Sequence, residues 1–340
     1  MSLDSPRAGR ERAGKRPTIR EIAREVGVSI GAVSHAFNNP AEISAELRER
    51  IMRVAQERGY LPDPRALALR RGESRLIALV VSSLANVYFS ALAQAIQETI
   101  AGHGYHLVVL NSKGTEDGER DCLDTVQHEG MAGAIVDLYR LKLEAAREVA
   151  AGRPVVFIAD RSQMVTAPTV RVENFSAAYN AVSYLADKGC RRIAHIAGPA
   201  SATNALRRRA GYRKVLYERT LGEPIEASGD FEFAAGYRAM ADFLERPTLP
   251  DAVFAANDLM ALGALTLLRE RGIAVPGRIA IVGFDNIDEG ARSVPALTTV
   301  DQPTSQIGLA AANLLLTAMR DPSFQAVVDV ECSLIPRSSA

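Results

Sequence analysis

The chain has 340 residues and lacks the features that mark several classes of protein. Its three cysteines, Cys122, Cys190 and Cys332, lie far apart and include no Cys-x-x-Cys pair. This spacing predicts neither a disulfide framework nor a zinc site, and it favours the reducing cytoplasm as the compartment. No apolar run approaches the roughly 18 residues of a membrane span. The charged N-terminal segment is not followed by the apolar stretch of a signal peptide.

Motifs typical of catalysis are also missing from the sequence. It contains no Gly-x-Gly-x-x-Gly after a strand, no phosphate-binding glycine loop with a lysine, and no nucleophile elbow. The histidines beyond residue 100 are scattered, and each is expected to lie at the surface or in the core: His103, His106, His128 and His195. We therefore predict no catalytic residue, no metal and no cofactor, although the fold class alone is compatible with many enzymes.

Charge is balanced overall but unevenly distributed. The whole chain carries 40 Lys and Arg against 40 Asp and Glu, and a net charge of zero would argue against a nucleic-acid partner. Residues 1–75, however, hold 15 of the basic residues and 10 of the acidic ones. A basic N-terminal part on a neutral-to-acidic remainder indicates that nucleic acid binds at the N-terminal end. The length predicts two or three domains.

The segment 18–38 has the pattern of two short helices joined by a tight turn. Thr18 and Glu21 form a capping box, apolar residues then recur at helical spacing, and Gly27 supplies the turn before Ser29 caps the second helix. An ordinary helical hairpin would not explain a second helix with so few large apolar residues. A helix-turn-helix places its second helix in the DNA major groove. We predict that the second helix packs on the first and leaves five of its residues facing solvent or DNA: Ile30, Gly31, Ser34, His35 and Asn38. With the capping residues Thr18 and Ser29, these are the candidate DNA-binding residues of the headpiece.

Two further elements are predicted before residue 75. A third helix begins after Ser44, spans residues 45–58 and ends at Gly59, which completes a three-helix headpiece. The following segment, residues 61–74, is a linker with room for one short helix over residues 64–71, since Pro64 suits a first helical turn.

From Leu76 onward, short apolar runs alternate with longer helical patterns. Runs that are nearly all apolar predict parallel strands buried on both faces, and the intervening helices predict right-handed crossovers. The expected architecture is α/β, with two doubly wound parallel-sheet lobes and a break near residues 159–168. Ligands of such sheets bind outside the carboxyl ends of the strands. Polar and aromatic residues that follow the apolar runs are therefore candidates for a ligand site: Asn86, Tyr88, Phe89, Asp137, Asp160, Arg161, Phe231, Asn257, Asp258 and Asp285.

The segments "TIREIAREVGVS", "AVSHAFNN" and "ISAELRERIMRVAQERGYLP" resemble the LacI/GalR family of bacterial transcription regulators, and the resemblance extends over residues 17–338. It implies a disordered arm over 1–16, a headpiece over 17–60, a hinge over 61–74 and a periplasmic-binding-protein-like body over 75–338. The first lobe would comprise about 75–160 and 293–322, and the second about 161–292 and 323–338.

The resemblance also implies roles for particular residues. Leu69 of the hinge would wedge into the DNA minor groove, and Arg208 would bind the effector. Gly31 offers no side chain at a position that commonly reads bases, so direct readout of the base sequence would rest on Ile30 and His35. At the position of His35, most members of the family have Arg. The implied effector site contains Tyr88, Phe89, Asp137, Asp160, Arg161, Arg208, Phe231, Asn257 and Asp285.

Together these features predict a cytoplasmic, homodimeric regulator, most simply a repressor, which binds a near-palindromic operator and is controlled by a small molecule between its lobes. A carboxylate and a guanidinium suit the hydroxyls of a sugar. Tyr88 and Phe231 would also suit a purine, so a purine-responsive regulator is the alternative. For Asp258 an N-cap role is the expected reading. A plain sugar-binding receptor of the same fold would have a signal peptide and no headpiece.

Overall fold

A computed structural model describes residues 17–60, 74–137, 141, 143–150, 152–160 and 167–340. The chain divides into two compact units at residues 73 and 74. The predicted arm, the hinge helix with Leu69, and Arg161 lie outside the described residues. The helices are α1 Ile19–Val26, α2 Ile30–Asn38, α3 Ala45–Glu57, α4 Val87–Ala101, α5 Glu116–His128, α6 Leu143–Val149, α7 Asn174–Asp187, α8 Thr203–Glu218, α9 Phe233–Leu244, α10 Asp258–Glu270, α11 Asp288–Arg292 and α12 Thr304–Ala318, with a 3₁₀ turn at Pro40–Glu42.

The strands all belong to the larger unit. They are β1 Leu76–Val81, β2 His106–Asn111, β3 Gly133–Asp137, β4 Val155–Asp160, β5 Thr169–Val172, β6 Ile193–Ala197, β7 Ile225–Ser228, β8 Ala252–Ala255, β9 Ala280–Asp285, β10 Thr298–Asp301, β11 Val327–Val330 and β12 Ser333–Ile335.

The headpiece is a three-helix unit whose ends follow the sequence signals. The backbone N–H of Thr18 donates to Glu21 Oε2 at 2.6 Å, which completes the predicted capping box. Gly27 takes the left-handed conformation (φ 76°) that the turn requires. Ser29 and Ser44 accept hydrogen bonds from the first turns of α2 and α3. The apolar faces of the helices form one small core: Ile22, Ala23, Val26, Val33, Ala36 and Ile51.

The larger unit contains two six-stranded sheets, one in each lobe. The first lobe has the strand order β11-β5-β4-β3-β1-β2, and the second has β12-β10-β9-β8-β6-β7. The pairs are parallel except for β10 with β12. In each sheet the second strand lies on one side of the first strand and the later strands lie on its other side. The direction of strand addition therefore reverses between β1 and β3 in the first lobe and between β6 and β8 in the second. These switch points, where ligands of doubly wound sheets bind, confirm the predicted fold class.

The predicted lobe boundaries are wrong at all three crossings. Strand β5, Thr169–Val172, pairs with β4, so the chain leaves the first lobe only after Val172 rather than within 159–168. Strand β10 pairs with β9, so the return to the first lobe follows Asp301 and not residue 292. Strand β11 pairs with β5, so the last crossing follows Val330 and not residue 322.

These strands escaped prediction because they are short and carry polar residues. Arg171 of β5 makes a two-pronged hydrogen bond with Asp329 of β11, and Thr298 and Thr299 of β10 are buried hydroxyls. Residues elsewhere in the fold satisfy these polar side chains, so the strands do not need to be apolar throughout. Helix α12 does return to the first lobe, since Ile307 packs in the core that contains β1. No helix in the described ranges is long and apolar enough to cross a membrane.

Candidate ligand site and nucleic-acid interface

A cleft lies where the strands of the two lobes end. Its lining comes from both lobes, including the ends of β3, β4, β5 and β9 and the residues that follow β1, β7, β8 and β10. The structure brings together here every sequence-predicted effector residue except Arg161, which is not among the described residues. The lining residues are Asn86, Tyr88, Phe89, Asp137, Ile158, Ala159, Asp160, Val172, Asn174, Thr203, Asn204, Arg208, Phe231, Asn257, Asp285 and Gln302.

Arg208 is the fixed cation of this cleft. Its side chain projects from α8 and the residue is 3% exposed. Nε donates to Asn174 Oδ1 at 2.9 Å, and Nη1 donates to the backbone oxygen of Ala256 at 2.5 Å. The guanidinium lies over the ring of Phe284 at 3.7 Å, and Nη1 is 3.7 Å from Asp285 Oδ1. Nη2 makes no hydrogen bond with any described residue, so this nitrogen is available to a ligand.

Two carboxylates of the cleft differ in how they are bound. Asp285 accepts a hydrogen bond from Gln302 Nε2 at 2.6 Å and lies beside Arg208, so it is part of the scaffold. Asp137, at the end of β3, makes no hydrogen bond with any residue that the structure describes. Burial raises the pKa of each to about 7, although the charge of Arg208 acts in the opposite direction. Asp137 is therefore the carboxylate that is open to a ligand.

Asp160 connects the lobes rather than standing free. Its Oδ2 accepts from Asn174 Nδ2 at 3.1 Å, and its Oδ1 lies 3.3 Å from Arg207 Nε of the second lobe. The half-exposed side chain of Arg207 thus reaches from the second lobe across to Asp160. Asn174 therefore holds both Asp160 and Arg208. The sequence search missed Asn174 because it follows β5, a strand that was itself not predicted.

The aromatic residues occupy both walls of the cleft. Tyr88 and Phe89 are buried on α4 in an edge-on contact with ring centroids 5.2 Å apart. The hydroxyl of Tyr88 forms no hydrogen bond within the described part of the chain. Phe231 has a left-handed backbone (φ 70°), and its carbonyl accepts from Asn257 Nδ2 at 2.8 Å. Such strain in a residue other than glycine is frequent at functional sites.

Asn257 has the N-cap role that was expected for Asp258. Asn257 is the N-cap of α10, since its Oδ1 accepts from the backbone of Met260, so both ends of its side chain are already used within the protein. Asp258 was expected to be the cap. Its carboxylate instead accepts from the backbone of Ile287 and from the hydroxyl of Thr299, and it is fully buried. Burial raises the pKa of Asp258 to about 6.

On the headpiece, some of the α2 residues that were predicted to face DNA are exposed and others are not. Ile30 is 44% exposed, and Ser29 and Gly31 are also exposed. The prediction that Ser34 faces outward is wrong, because the residue is only 8% exposed. The buried side of α2 is wide enough to include Ser34 between Val33 and Ala36. The side chain of Asn38 lies outside what the structure describes.

The side chains of His35 and Glu42 are in contact beside this surface. His35 Nδ1 lies 2.7 Å from Glu42 Oε2, with the two side chains 42% and 55% exposed. Three arginines of the headpiece are exposed and form no hydrogen bond or ion pair with a described residue: Arg20, Arg24 and Arg53. These arginines were not predicted from the sequence, although exposed guanidinium groups of this kind suit DNA phosphates.

Comparison with known proteins agrees with this combination of a helix-turn-helix and a two-lobed body. Residues 18–63 match the model of bacterial regulatory proteins of the lacI family, and residues 182–340 match that of the periplasmic binding protein-like domain. The chain is 36% identical over 330 residues to the HTH-type transcriptional repressor CytR of Escherichia coli (strain K12), covering 95% of this chain and 96% of CytR. The chain belongs to the lacI family of bacterial regulatory proteins.

Two solved structures show the same architecture. The lac repressor dimer bound to operator and the anti-inducer ONPF superposes with a TM-score of 0.83 at 26% identity, covering 96% of this chain and 99% of the repressor. A lacI-family regulator from Enterococcus faecium with bound ribose superposes with a TM-score of 0.70 at 25% identity, covering 78% of this chain and 98% of that protein. Within the described residues, no three His, Cys, Asp or Glu side chains are grouped to hold a metal ion.

Proposed function

We propose that this lacI-family transcriptional regulator is a repressor that binds a near-palindromic operator as a homodimer. Its affinity for the operator is controlled by an uncharged, hydroxyl-rich ligand that binds in the cleft. This choice of ligand rests on two polar groups of the cleft, one in each lobe, that form no hydrogen bond with a described residue. Asp137 offers acceptors from the first lobe, and Nη2 of Arg208 offers a donor from the second. Binding to both would hold the lobes in one relative position.

The chemistry of these groups matches a sugar or sugar derivative. Each hydroxyl can donate one hydrogen bond and accept others, so a pair of neighbouring hydroxyls can donate to Asp137 while accepting from Arg208. The hydroxyl of Tyr88 can add a third contact. The Enterococcus faecium regulator holds ribose in its structure, which supports the same class of ligand for this chain.

The charges of the lining disfavour a phosphorylated ligand. Three carboxylates, Asp137, Asp160 and Asp285, face the cleft, whereas Arg208 is its only cationic lining residue in the described part of the chain. Arg208 already has Asp285 beside it. Burying a phosphate among these groups would leave negative charge uncompensated, which is costly in a site largely closed to water.

A purine or purine nucleoside is the second candidate. Tyr88 of the first lobe and Phe231 of the second line the same cleft, and two aromatic rings on opposite walls could hold a flat base between them. A nucleoside would satisfy both arguments, since its ribose carries the hydroxyl pair and its base offers the flat face.

On the DNA side, we propose that α2 lies in the major groove and that Ile30 and His35 contact base edges. The exposed arginines Arg20, Arg24 and Arg53 would contact phosphates, which position the helix without reading sequence. The hinge residue Leu69 stays a prediction. We further propose that the ligand is bound in the bacterial cytoplasm without being converted, because the relatives are repressors and not enzymes.

The test is a thermal-shift screen of the full-length protein against neutral sugars, sugar phosphates, nucleosides and purine bases. A ligand that prefers the folded state raises the melting temperature by an amount that grows with the ratio of its concentration to its Kd. We expect a shift with a neutral sugar or a nucleoside and none with its phosphate. A shift with sugar phosphates only would contradict the proposal. Mass spectrometry of the recovered ligand would reveal any conversion.

A further inference from the structure

The contact between His35 and Glu42 fixes which imidazole nitrogen can face DNA. Nδ1 lies 2.7 Å from Glu42 Oε2. An ionised carboxylate accepts hydrogen bonds and cannot donate them, so the hydrogen of this contact belongs to Nδ1. The neutral ring then has an unprotonated Nε2, and the charged ring has a protonated one. In both forms Nε2 is the nitrogen left over, and it bonds to no residue that the structure describes.

Glu42 is itself held in place. It ends the short turn Pro40–Glu42 that directly follows α2, and its backbone N–H donates to the carbonyl of Asn39 at 2.9 Å. Its second carboxylate oxygen, Oε1, accepts from Asn39 Nδ2 at 3.3 Å. Because both oxygens have a partner, the carboxylate has a defined orientation toward the histidine. A pair this exposed adds little to folding stability, so its consequence is the orientation of the ring.

On the side of Gly31, the helix surface next to His35 is open. Gly31 lies one helical turn before His35 and therefore on the same face of α2. A Cβ added at Gly31 would contact only Ser29 Oγ, at 3.6 Å. The missing side chain therefore leaves open space beside the imidazole on the N-terminal side of the helix.

We propose that Glu42 is a positioning residue for base recognition, which holds the His35 ring so that Nε2 meets the base edge in the major groove. The inference rests on the proposed reading role of His35. An unprotonated Nε2 accepts from the amino group of adenine or cytosine, and a protonated one donates to guanine N7 or O6. Without Glu42 the ring can turn over and exchange tautomers, so both nitrogens compete for the base and discrimination falls.

The experiment uses the full-length protein and a random-sequence DNA duplex library. Selection with the wild type gives the preferred half-site, and selection with His35→Ala identifies the base position that His35 reads. Fluorescence anisotropy then compares the preferred duplex with single-base variants at that position for Glu42→Ala, for the double variant His35→Ala/Glu42→Ala, and for Glu49→Ala. The last is a matched control, because it removes an exposed glutamate of the same headpiece that has no partner in the described residues.

We expect Glu42→Ala to reduce discrimination at the His35 position by about 2- to 10-fold, the worth of one hydrogen bond. It should add nothing in the His35→Ala background, and the melting temperature should match that of Glu49→Ala. Unchanged discrimination in Glu42→Ala, with loss in His35→Ala, would overturn the inference while leaving His35 as a reader. Unchanged discrimination in His35→Ala would reject both. An equal loss in both backgrounds with a lower melting temperature would show that Glu42 only supports the fold.

Discussion

Ser83 Oγ donates a hydrogen bond of 3.0 Å to Glu232 Oε1 and thereby joins the two lobes at the edge of the cleft. Ser83 lies in the loop after β1 of the first lobe, and Glu232 directly precedes α9 of the second. The Ser83–Glu232 hydrogen bond and the Arg207–Asp160 contact both link the two lobes beside the cleft. These contacts exist only while the lobes are close together, so they favour the closed arrangement.

We predict that Ser83→Ala lowers ligand affinity by about 2- to 10-fold, the effect of one lost hydrogen bond, because closure no longer gains this contact. Glu232→Gln should have a similar or smaller effect, since an amide oxygen can still accept. Calorimetric titration with the ligand found by thermal shift measures the change. Glu223→Gln, at an exposed position of the same lobe, is the control and should be neutral. Wild-type affinity in Ser83→Ala would show that the contact has no part in closure.

Arg208 should be required for ligand binding beyond its role in the fold. Arg208→Gln removes the charge that faces both Asp285 and the ligand, and we expect a loss of affinity of about 10-fold or more. The buried Asp285 then lacks its cation, which destabilises the body.

The double variant Arg208→Gln/Asp285→Asn separates these two effects. It removes both charges, so the melting temperature should recover relative to Arg208→Gln while ligand affinity stays low. Both quantities can be measured on the same preparations by scanning calorimetry and titration. Recovery of ligand binding together with stability would mean that Arg208 serves only the scaffold.

Asp137 should make the stability of the ligand-free protein depend on pH. Its pKa is raised to about 7 by burial, above the ordinary value near 4, so the folded state holds a proton that the unfolded state has released. Stability therefore falls as the pH rises from about 4 to 7. Asp137→Asn cannot ionise and should be more stable than the wild type at pH 8, by about 1–3 kcal/mol.

Urea unfolding at pH 5 and pH 8 tests this expectation. The difference between Asp137→Asn and the wild type should be larger at pH 8 than at pH 5, while the variant binds the ligand about 10- to 100-fold more weakly. Asp117→Asn, an exposed carboxylate of the same lobe, should show neither effect. A variant that is less stable than the wild type at pH 8 would mean that Asp137 is satisfied by the protein itself.

Gly198 should determine the position of the Phe231 ring. A Cβ at this position would overlap with the ring and with the side chain of Ala205. Gly198→Ala should therefore displace Phe231, weaken ligand binding and destabilise the body by roughly 1–3 kcal/mol, as overpacking does. Gly277→Ala is the control, because its Cβ would make only an ordinary contact with Ala274. Unchanged ligand affinity in Gly198→Ala would exclude Phe231 from the binding surface.

The sequence predicted the cleft residues that directly follow apolar strands, because parallel strands end at a common edge. It missed Asn174 and Gln302, which follow β5 and β10, since the polar residues of these strands interrupt the apolar pattern. The predicted positions of the lobe crossings were wrong because the same strands were not recognised. Their place in a sheet depends on pairing with strands that are distant in the chain. Ser34 was placed outward because helical spacing alone does not give the width of the buried face of α2.

The most direct test of the account asks whether a ligand in the cleft controls DNA binding. Operator duplex selected with the wild type is titrated with full-length wild type, with Asp137→Asn and with Asp117→Asn, each with and without the ligand found by thermal shift. We expect equal operator affinity for all three proteins without ligand. Ligand should change the affinity at least about tenfold for the wild type and Asp117→Asn, within the usual range of allosteric coupling. At the same ligand concentration Asp137→Asn should not respond. An equal response of all three proteins would contradict the assignment of the regulatory site to this cleft.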